Sequence, residues 1–151
     1  MKIMKLFAAF ACTALLLAST ACDPHRDNQP ETIPDSIAYT EWYSQGLDED
    51  GNTVYYTLKI ETQMATLTAS DAQENGHIVS QKPLEVAYTK PNVRLTFYDG
   101  GRFAGYIIDK QYTTINGVHV YIMQLFGVDE SGNVILGDDG KPASTMIFWK
   151  E

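Results

Sequence analysis

From residue 37 onward the chain consists of short runs in which apolar and polar residues alternate, and no long segment repeats with the helical period of 3.6. The run 53–61 is the clearest example. It places Val54, Tyr56, Leu58 and Ile60 on one face of an extended chain, with polar residues and Tyr55 on the other face. Further β-rich runs occupy 65–69, 84–89, 93–98, 103–107, 112–115, 118–128 and 144–149. This period-2 pattern predicts an all-β fold.

Turn-forming residues separate the runs. Asn116-Gly117 is a strong signal for a two-residue hairpin, because both residues accept positive φ. The acidic stretches 48–52 and 129–133 read DEDGN and DESGN, each with Gly at the place where a left-handed residue is needed. Residues 70–76 have room for one short helical turn. Short connections favour an antiparallel up-and-down meander of 8–10 strands, which avoids exposed edges by closing into a barrel.

The N-terminal segment has the features of a secretory signal peptide. Lys2 and Lys5 precede an apolar stretch at 6–18, and small residues follow it. The stretch is shorter than the ~20 residues of a membrane-spanning helix. We therefore assign residues 1–21 to a signal peptide, residues 22–36 to a proline-containing linker and residues 37–151 to the β-barrel domain.

The residues before Cys22 resemble a bacterial lipobox, in which the chain is cut before the Cys and the new N-terminal Cys carries the lipid. Ser19 stands where the usual pattern has Leu. The resemblance implies that Cys22 is acylated and that its acyl chains, such as palmitate, anchor the protein in a membrane. The alternative is ordinary cleavage after Ala21, which leaves Cys22 as a free thiol.

Cysteine content and charge exclude several classes of protein. Cys12 is lost with the signal peptide, so the mature chain has one Cys and no internal disulfide. It keeps nine of the eleven Lys and Arg and all nineteen Asp and Glu, a net charge of −10 with His neutral. Such a surface disfavours nucleic acid as a partner.

A family resemblance follows from this organisation. An exported lipoprotein with a short linker, Trp42 in its first strand and a closed meander resembles the small lipocalin-like lipoproteins of Gram-negative bacteria. Lipocalins carry Gly-x-Trp in that strand, and here Thr40 replaces the Gly. The resemblance implies a cell-envelope location, with the outer membrane as the expected anchoring membrane. It also implies a small apolar ligand held by the barrel, although fold alone does not establish function.

Motifs for catalysis and cofactor binding are missing. The chain has no Gly-x-Ser-x-Gly, Walker loop or His-Glu-x-x-His, and no βαβ context for a dinucleotide loop. Aligning Gly51 or Gly132 with the Gly of an EF-hand puts another Gly at the first ligand position. We therefore expect a protein that is not an enzyme and has no cofactor or metal. The alternative is a hydrolase-type site assembled from distant strands around His77 or His119.

The run 118–128 suggests a binding face, because both of its faces are largely apolar. We predict that Val118, Val120 and Ile122 face the core. The opposite face, with His119, Tyr121 and Met123, is then available to a ligand or partner. The candidate binding residues are Trp42, Tyr56, Tyr106, His119, Tyr121 and Met123.

These residues support two hypotheses beside the enzymatic one. The first is a lipid-anchored module that binds a small apolar ligand or an envelope protein. The second is a structural accessory lipoprotein with a solidly packed barrel and no ligand.

Overall fold

The computed structural model describes residues 33–111 and 119–150, which form eight β-strands. The strands are β1 (Glu41–Leu47), β2 (Thr53–Ile60), β3 (Met64–Ser70), β4 (Ile78–Thr89), β5 (Asn92–Phe97), β6 (Arg102–Gln111), β7 (His119–Gly127) and β8 (Thr145–Lys150). The predicted Asn116-Gly117 hairpin and Cys22 lie outside the described residues. Within them, no helix is long and apolar enough to cross a bilayer.

The strands form a closed antiparallel barrel in sequence order. Each strand pairs with the next, and β8 returns to β1. This confirms the predicted all-β up-and-down meander and is consistent with a lipocalin-like barrel. The segment 70–76, which has room for one short helical turn, contains no helix: Ser70 ends β3, and the residues after it form a turn that leads to β4.

Side chains fill the barrel interior. The alternation in β2 turns Val54, Tyr56, Leu58 and Ile60 inward, as predicted. An eight-stranded barrel is about wide enough for inward side chains to fill it. The largest fully buried side chains belong to one continuous core: Trp42, Phe103, Phe148, Leu58, Ile60, Leu84, Leu95, Ile107, Met123 and Leu125.

The register of β7 shows which of its faces is inside. Met123 pairs with Ile107 and Phe148, and all three side chains belong to the buried core. Tyr121 lies on the same face and packs against that core. The prediction that Val120 and Ile122 face this core is therefore wrong, because they lie on the opposite face of the wall, where Ile122 is buried in a separate small cluster with Ile147. Val118, predicted to share their face, lies outside the described residues.

Two acidic turns share one construction. In the first, Asp48 N donates to Asn52 O and Gly51 N donates to Asp48 O, with Gly51 at φ 83. Asp129 and Gly132 repeat this arrangement, with Gly132 at φ 85. A turn that ends in a left-handed residue favours Gly, which has no Cβ to clash. The left-handed glycines expected from the sequence are confirmed.

The segment before β1 is tied to one end of the barrel. Ile37 is buried in the core, and Ile33 packs against it. The Tyr88 hydroxyl donates to the Pro34 carbonyl at 2.6 Å. These contacts fix the chain where it enters β1.

Candidate functional site

A groove of about 640 Å³ runs over the outer face of β8, β1 and β2. Its floor and walls carry four aromatic side chains, Tyr39, Tyr43, Tyr55 and Trp149. The turn between β3 and β4 closes one side with Gln73 and Glu74. We call this the aromatic groove. Its volume lies within the range of ligand-binding clefts, ~300–1,000 Å³.

The strand register aligns three of the rings. Tyr43 of β1 pairs directly with Trp149 of β8. Gln45, two residues after Tyr43 on the same face, pairs with Tyr55 of β2. Tyr55 is therefore the diagonal neighbour of Tyr43, and such neighbours have Cα atoms about 7–8 Å apart. The register thus puts these three aromatic residues at neighbouring positions on the outside of the barrel, which we call the aromatic row.

The fourth ring is held in an unusual backbone conformation. Tyr39 has φ 60, a left-handed value that bulky residues rarely adopt, and its side chain is 79% exposed. Its amide donates to Glu61 O at 2.8 Å, and Ile37 is buried two residues earlier. The surrounding structure thus holds the Tyr39 backbone in a strained conformation, although the ring itself is exposed. Strained backbone conformations of this kind cluster at functional sites.

Polar groups surround the rings. The Tyr43 hydroxyl donates to Glu41 Oε2 at 2.9 Å. This hydrogen bond is the main reason that the pKa of Tyr43 is raised, with smaller contributions from desolvation and from the Glu41 charge. The pair fixes the orientation of one ring and one carboxylate. Gln45 and Thr57 add further hydrogen-bonding groups.

Short-range hydrogen bonds shape the β3–β4 turn that walls the groove. Asp71 N donates to His77 O at 3.1 Å, and His77 N donates to Asp71 Oδ1 at 2.7 Å. The Ser70 hydroxyl donates to Ala72 O at 3.0 Å. Together these bonds close the turn and place Gln73 and Glu74 against the groove. His77 Nδ1 lies 3.5 Å from Asp71 Oδ2, and both side chains are largely exposed.

Two buried residues with hydroxyl groups occupy opposite positions on neighbouring strands behind the groove floor. Ser44 of β1 is opposite Tyr56 of β2, and both residues are buried. Burial, together with the negative charge of Asp48, raises the pKa of Tyr56 to about 12. Within the described part of the chain, Ser44 Oγ has no hydrogen-bond partner. Both residues also border the aromatic groove.

The six candidate residues from the sequence do not converge on one site. Trp42, Tyr56 and Met123 are buried in the barrel, and Tyr121 packs against the same core. Tyr106 lies on the outer face of β6 and is 38% exposed, outside the groove. His119 begins β7 opposite Gln111, and only its backbone is described. Of the six, Tyr56 alone borders the aromatic groove.

Sequence reasoning missed Tyr39, Tyr43, Tyr55 and Trp149. A signal was present for Tyr55, because it lies on the polar face of the alternating run 53–61. An aromatic ring at a position that alternation assigns to solvent is an informative exception. Tyr43 follows Trp42, and successive strand residues point to opposite faces, so one of these two rings had to point outward.

A second groove of about 630 Å³ lies over β4 and β5 and has a different character. Its lining is mainly polar and includes Glu85, Arg94 and Thr96. Its single aromatic residue, Tyr88, uses its hydroxyl to hold Pro34. This groove therefore lacks the exposed rings that make the first a stronger candidate.

Carboxylates in the two acidic turns bond to the backbone. Asp48 Oδ1 accepts from the amides of Asp50 and Asn52. Asp129 Oδ1 does the same with Ser131 and Asn133. Across 33–111 and 119–150, no three His, Cys, Asp or Glu side chains converge as metal ligands. Turn formation thus accounts for the first aspartate of each turn.

No protein-family model, curated protein or solved structure matches the chain. The functional assignment therefore depends on the geometry of the barrel and its grooves.

Proposed function

We propose that this protein is a lipid-anchored binding module of the cell envelope that engages its ligand or partner through the aromatic groove on the outside of the barrel. One observation carries the proposal. Large apolar side chains occupy the barrel interior, whereas four aromatic side chains line an outer groove. Aromatic side chains supply large contact areas at binding surfaces.

The filled interior supports binding on the outer wall rather than inside the barrel. A lipocalin-type ligand would need space inside the wall, where Trp42, Phe103 and Phe148 lie almost completely buried. Opening such space would remove packed side chains from the core, and large-to-small changes there cost about 2–5 kcal/mol each. Binding on the outer wall has no such cost.

The anchor is the second part of the proposal. Cys22 follows an apolar stretch and small residues, and Ile33, which packs against the barrel core, is only eleven residues later. Eleven extended residues span about 34 Å at ~3.1 Å each. The linker would therefore keep the groove close to the membrane that holds the lipid.

Site-specific photo-crosslinking in the host tests the location of the binding surface. A benzophenone amino acid replaces Tyr43 in the groove, and in a matched control it replaces Tyr106 on the outer face of β6. We expect ultraviolet-dependent adducts from position 43 and none from position 106. Adducts from position 106 alone, or from neither position, would overturn the proposal.

A further inference from the structure

We propose that the ligand of the aromatic groove is a neutral oligosaccharide of pyranose rings. This inference rests on the proposed function, because it concerns the same groove. The geometry that points to it is the row formed by Trp149, Tyr43 and Tyr55, together with the polar groups at its sides.

The aromatic row matches the apolar part of a sugar. A pyranose ring presents a patch of C–H bonds that can lie flat on an aromatic face, which excludes water and gains dispersion contacts. Three neighbouring rings offer consecutive platforms for linked sugar units. Tyr39, exposed two residues before β1, adds a fourth aromatic residue to the lining of the groove.

The polar rim matches the hydroxyl groups. Each hydroxyl both donates and accepts hydrogen bonds, so a site for a sugar needs both kinds of partner. Glu41 and Glu74 supply carboxylate acceptors. Gln45 and Gln73 supply amides that donate and accept, and Thr57 supplies a hydroxyl group.

Charge favours a neutral ligand. Glu41 and Glu74 would repel an anionic ligand, which disfavours phosphate-rich or acidic polymers. Lys59 is opposite Glu41 on the same outer face and offsets that carboxylate, although it does not line the groove itself. Among the described residues of the groove, only the Glu74 carboxylate then lacks a nearby offset, a small charge compared with the −8 of the whole chain.

The composition of the groove favours an oligosaccharide over a protein. The core of a stable protein interface is apolar and desolvated. The aromatic groove instead has hydrogen-bonding groups interspersed among its aromatic residues. A single chain of sugar rings suits that groove.

Fluorescence titration tests the inference, since the chain has only two tryptophans and one of them lines the groove. The probes are cellohexaose, maltohexaose and N-acetylchitohexaose, added to the full lipidated protein in a detergent without a sugar headgroup. We expect a saturable change in fluorescence with at least one probe. Trp149→Phe should remove most of the signal, while calorimetry still detects binding.

Matched variants locate the binding site. Tyr43→Ala should weaken the affinity about tenfold or more, because it removes the middle ring of the row. Tyr106→Ala, which changes an exposed tyrosine elsewhere on the wall, should leave the affinity unchanged. Thermal unfolding of each variant verifies that the barrel is intact, and Tyr55→Ala replaces Tyr43→Ala if the latter does not fold.

Two results would overturn the inference. The first is no saturable response to any of the three probes. If position 43 still crosslinks to a protein, the oligosaccharide is then rejected while the proposed binding surface stands. The second is binding of the oligosaccharide at another place in the molecule. In that case Tyr43→Ala would leave binding intact, the interior variant Met123→Ala would abolish it, and both proposals would be rejected.

Discussion

Trp42 and Thr40 are joined by a hydrogen bond of 2.9 Å from the indole Nε1 to the threonine Oγ1. The same hydroxyl donates to the carbonyl oxygen of Ile37. Trp42 is 1% exposed, so its N–H would otherwise be buried without an acceptor. Thr40 occupies the position of the glycine in the lipocalin Gly-x-Trp pattern. A threonine at this position therefore supplies the acceptor for the buried tryptophan.

Thr40→Val should destabilise the barrel, because it removes that acceptor and keeps a β-branched side chain of similar size. We expect a loss of about 1–3 kcal/mol in the free energy of unfolding, measured by urea denaturation. Thr40→Ser, which retains the hydroxyl, should lose clearly less free energy of unfolding than Thr40→Val. Equal stability for the valine and serine variants would show that the hydrogen bond contributes nothing.

Gly105→Ala should also be destabilising. A Cβ at Gly105 would collide with the backbone of Gln124 and Leu125 on β7, which cannot retreat without disturbing the strand pairing. We expect a cost of about 1–3 kcal/mol in urea denaturation. Gly101→Ala is the matched control, because its Cβ would meet its nearest neighbours at 3.6 Å or more. A Gly105→Ala midpoint equal to the control would contradict the close approach of β6 and β7.

Local chemistry explains why the architecture could be predicted from the sequence. Alternation along 53–61 is a property of neighbouring residues, and β2 turns inward the side chains that it assigns to one face. The acidic turns are equally local, because Gly51 adopts positive φ and Asp48 accepts backbone hydrogen bonds within its own turn. No distant residue is needed for either inference.

The binding site required information that the sequence does not display. Both faces of β7 are apolar, so alternation could not say whether Met123 or Ile122 points inward, and pairing with Phe148 decides it. The aromatic groove likewise depends on closure of the barrel. That closure brings Trp149 beside Tyr43, although one lies near the end of the chain and the other in the first strand.

The two faces of β7 should respond differently to truncation. Met123→Ala removes a fully buried side chain and should cost about 2–5 kcal/mol. Val120→Ala, on the partly exposed outer face of the same strand, should cost less than 1 kcal/mol. Urea denaturation monitored by circular dichroism measures both. A larger loss for Val120→Ala would reverse the assignment of the faces.

Tyr56 should make the barrel less stable in alkaline solution. Burial, followed by the Asp48 charge, raises its pKa in the folded state to about 12, whereas an unfolded tyrosine ionises near pH 10. Between these values the unfolded state loses the proton first, so the stabilising contribution is complete below pH 10 and disappears as the pH rises towards 12. The urea concentration at half unfolding, measured from pH 8 to 12, should fall less steeply with pH for Tyr56→Phe than for the wild type. Identical slopes would contradict the raised pKa.

Cys22→Ser should abolish membrane anchoring, because the thiol is the group that would carry the acyl chains. Each buried methylene contributes ~0.8 kcal/mol to membrane binding, and stable anchoring needs more than one chain. We expect wild-type protein in the membrane fraction, labelled by radioactive palmitate. Cys22→Ser should be unlabelled and either soluble or unprocessed. Cys12→Ser is the matched control, since Cys12 lies in the predicted signal peptide and should not affect labelling. A Cys22→Ser protein that remains processed, labelled and membrane-bound would refute the lipoprotein assignment.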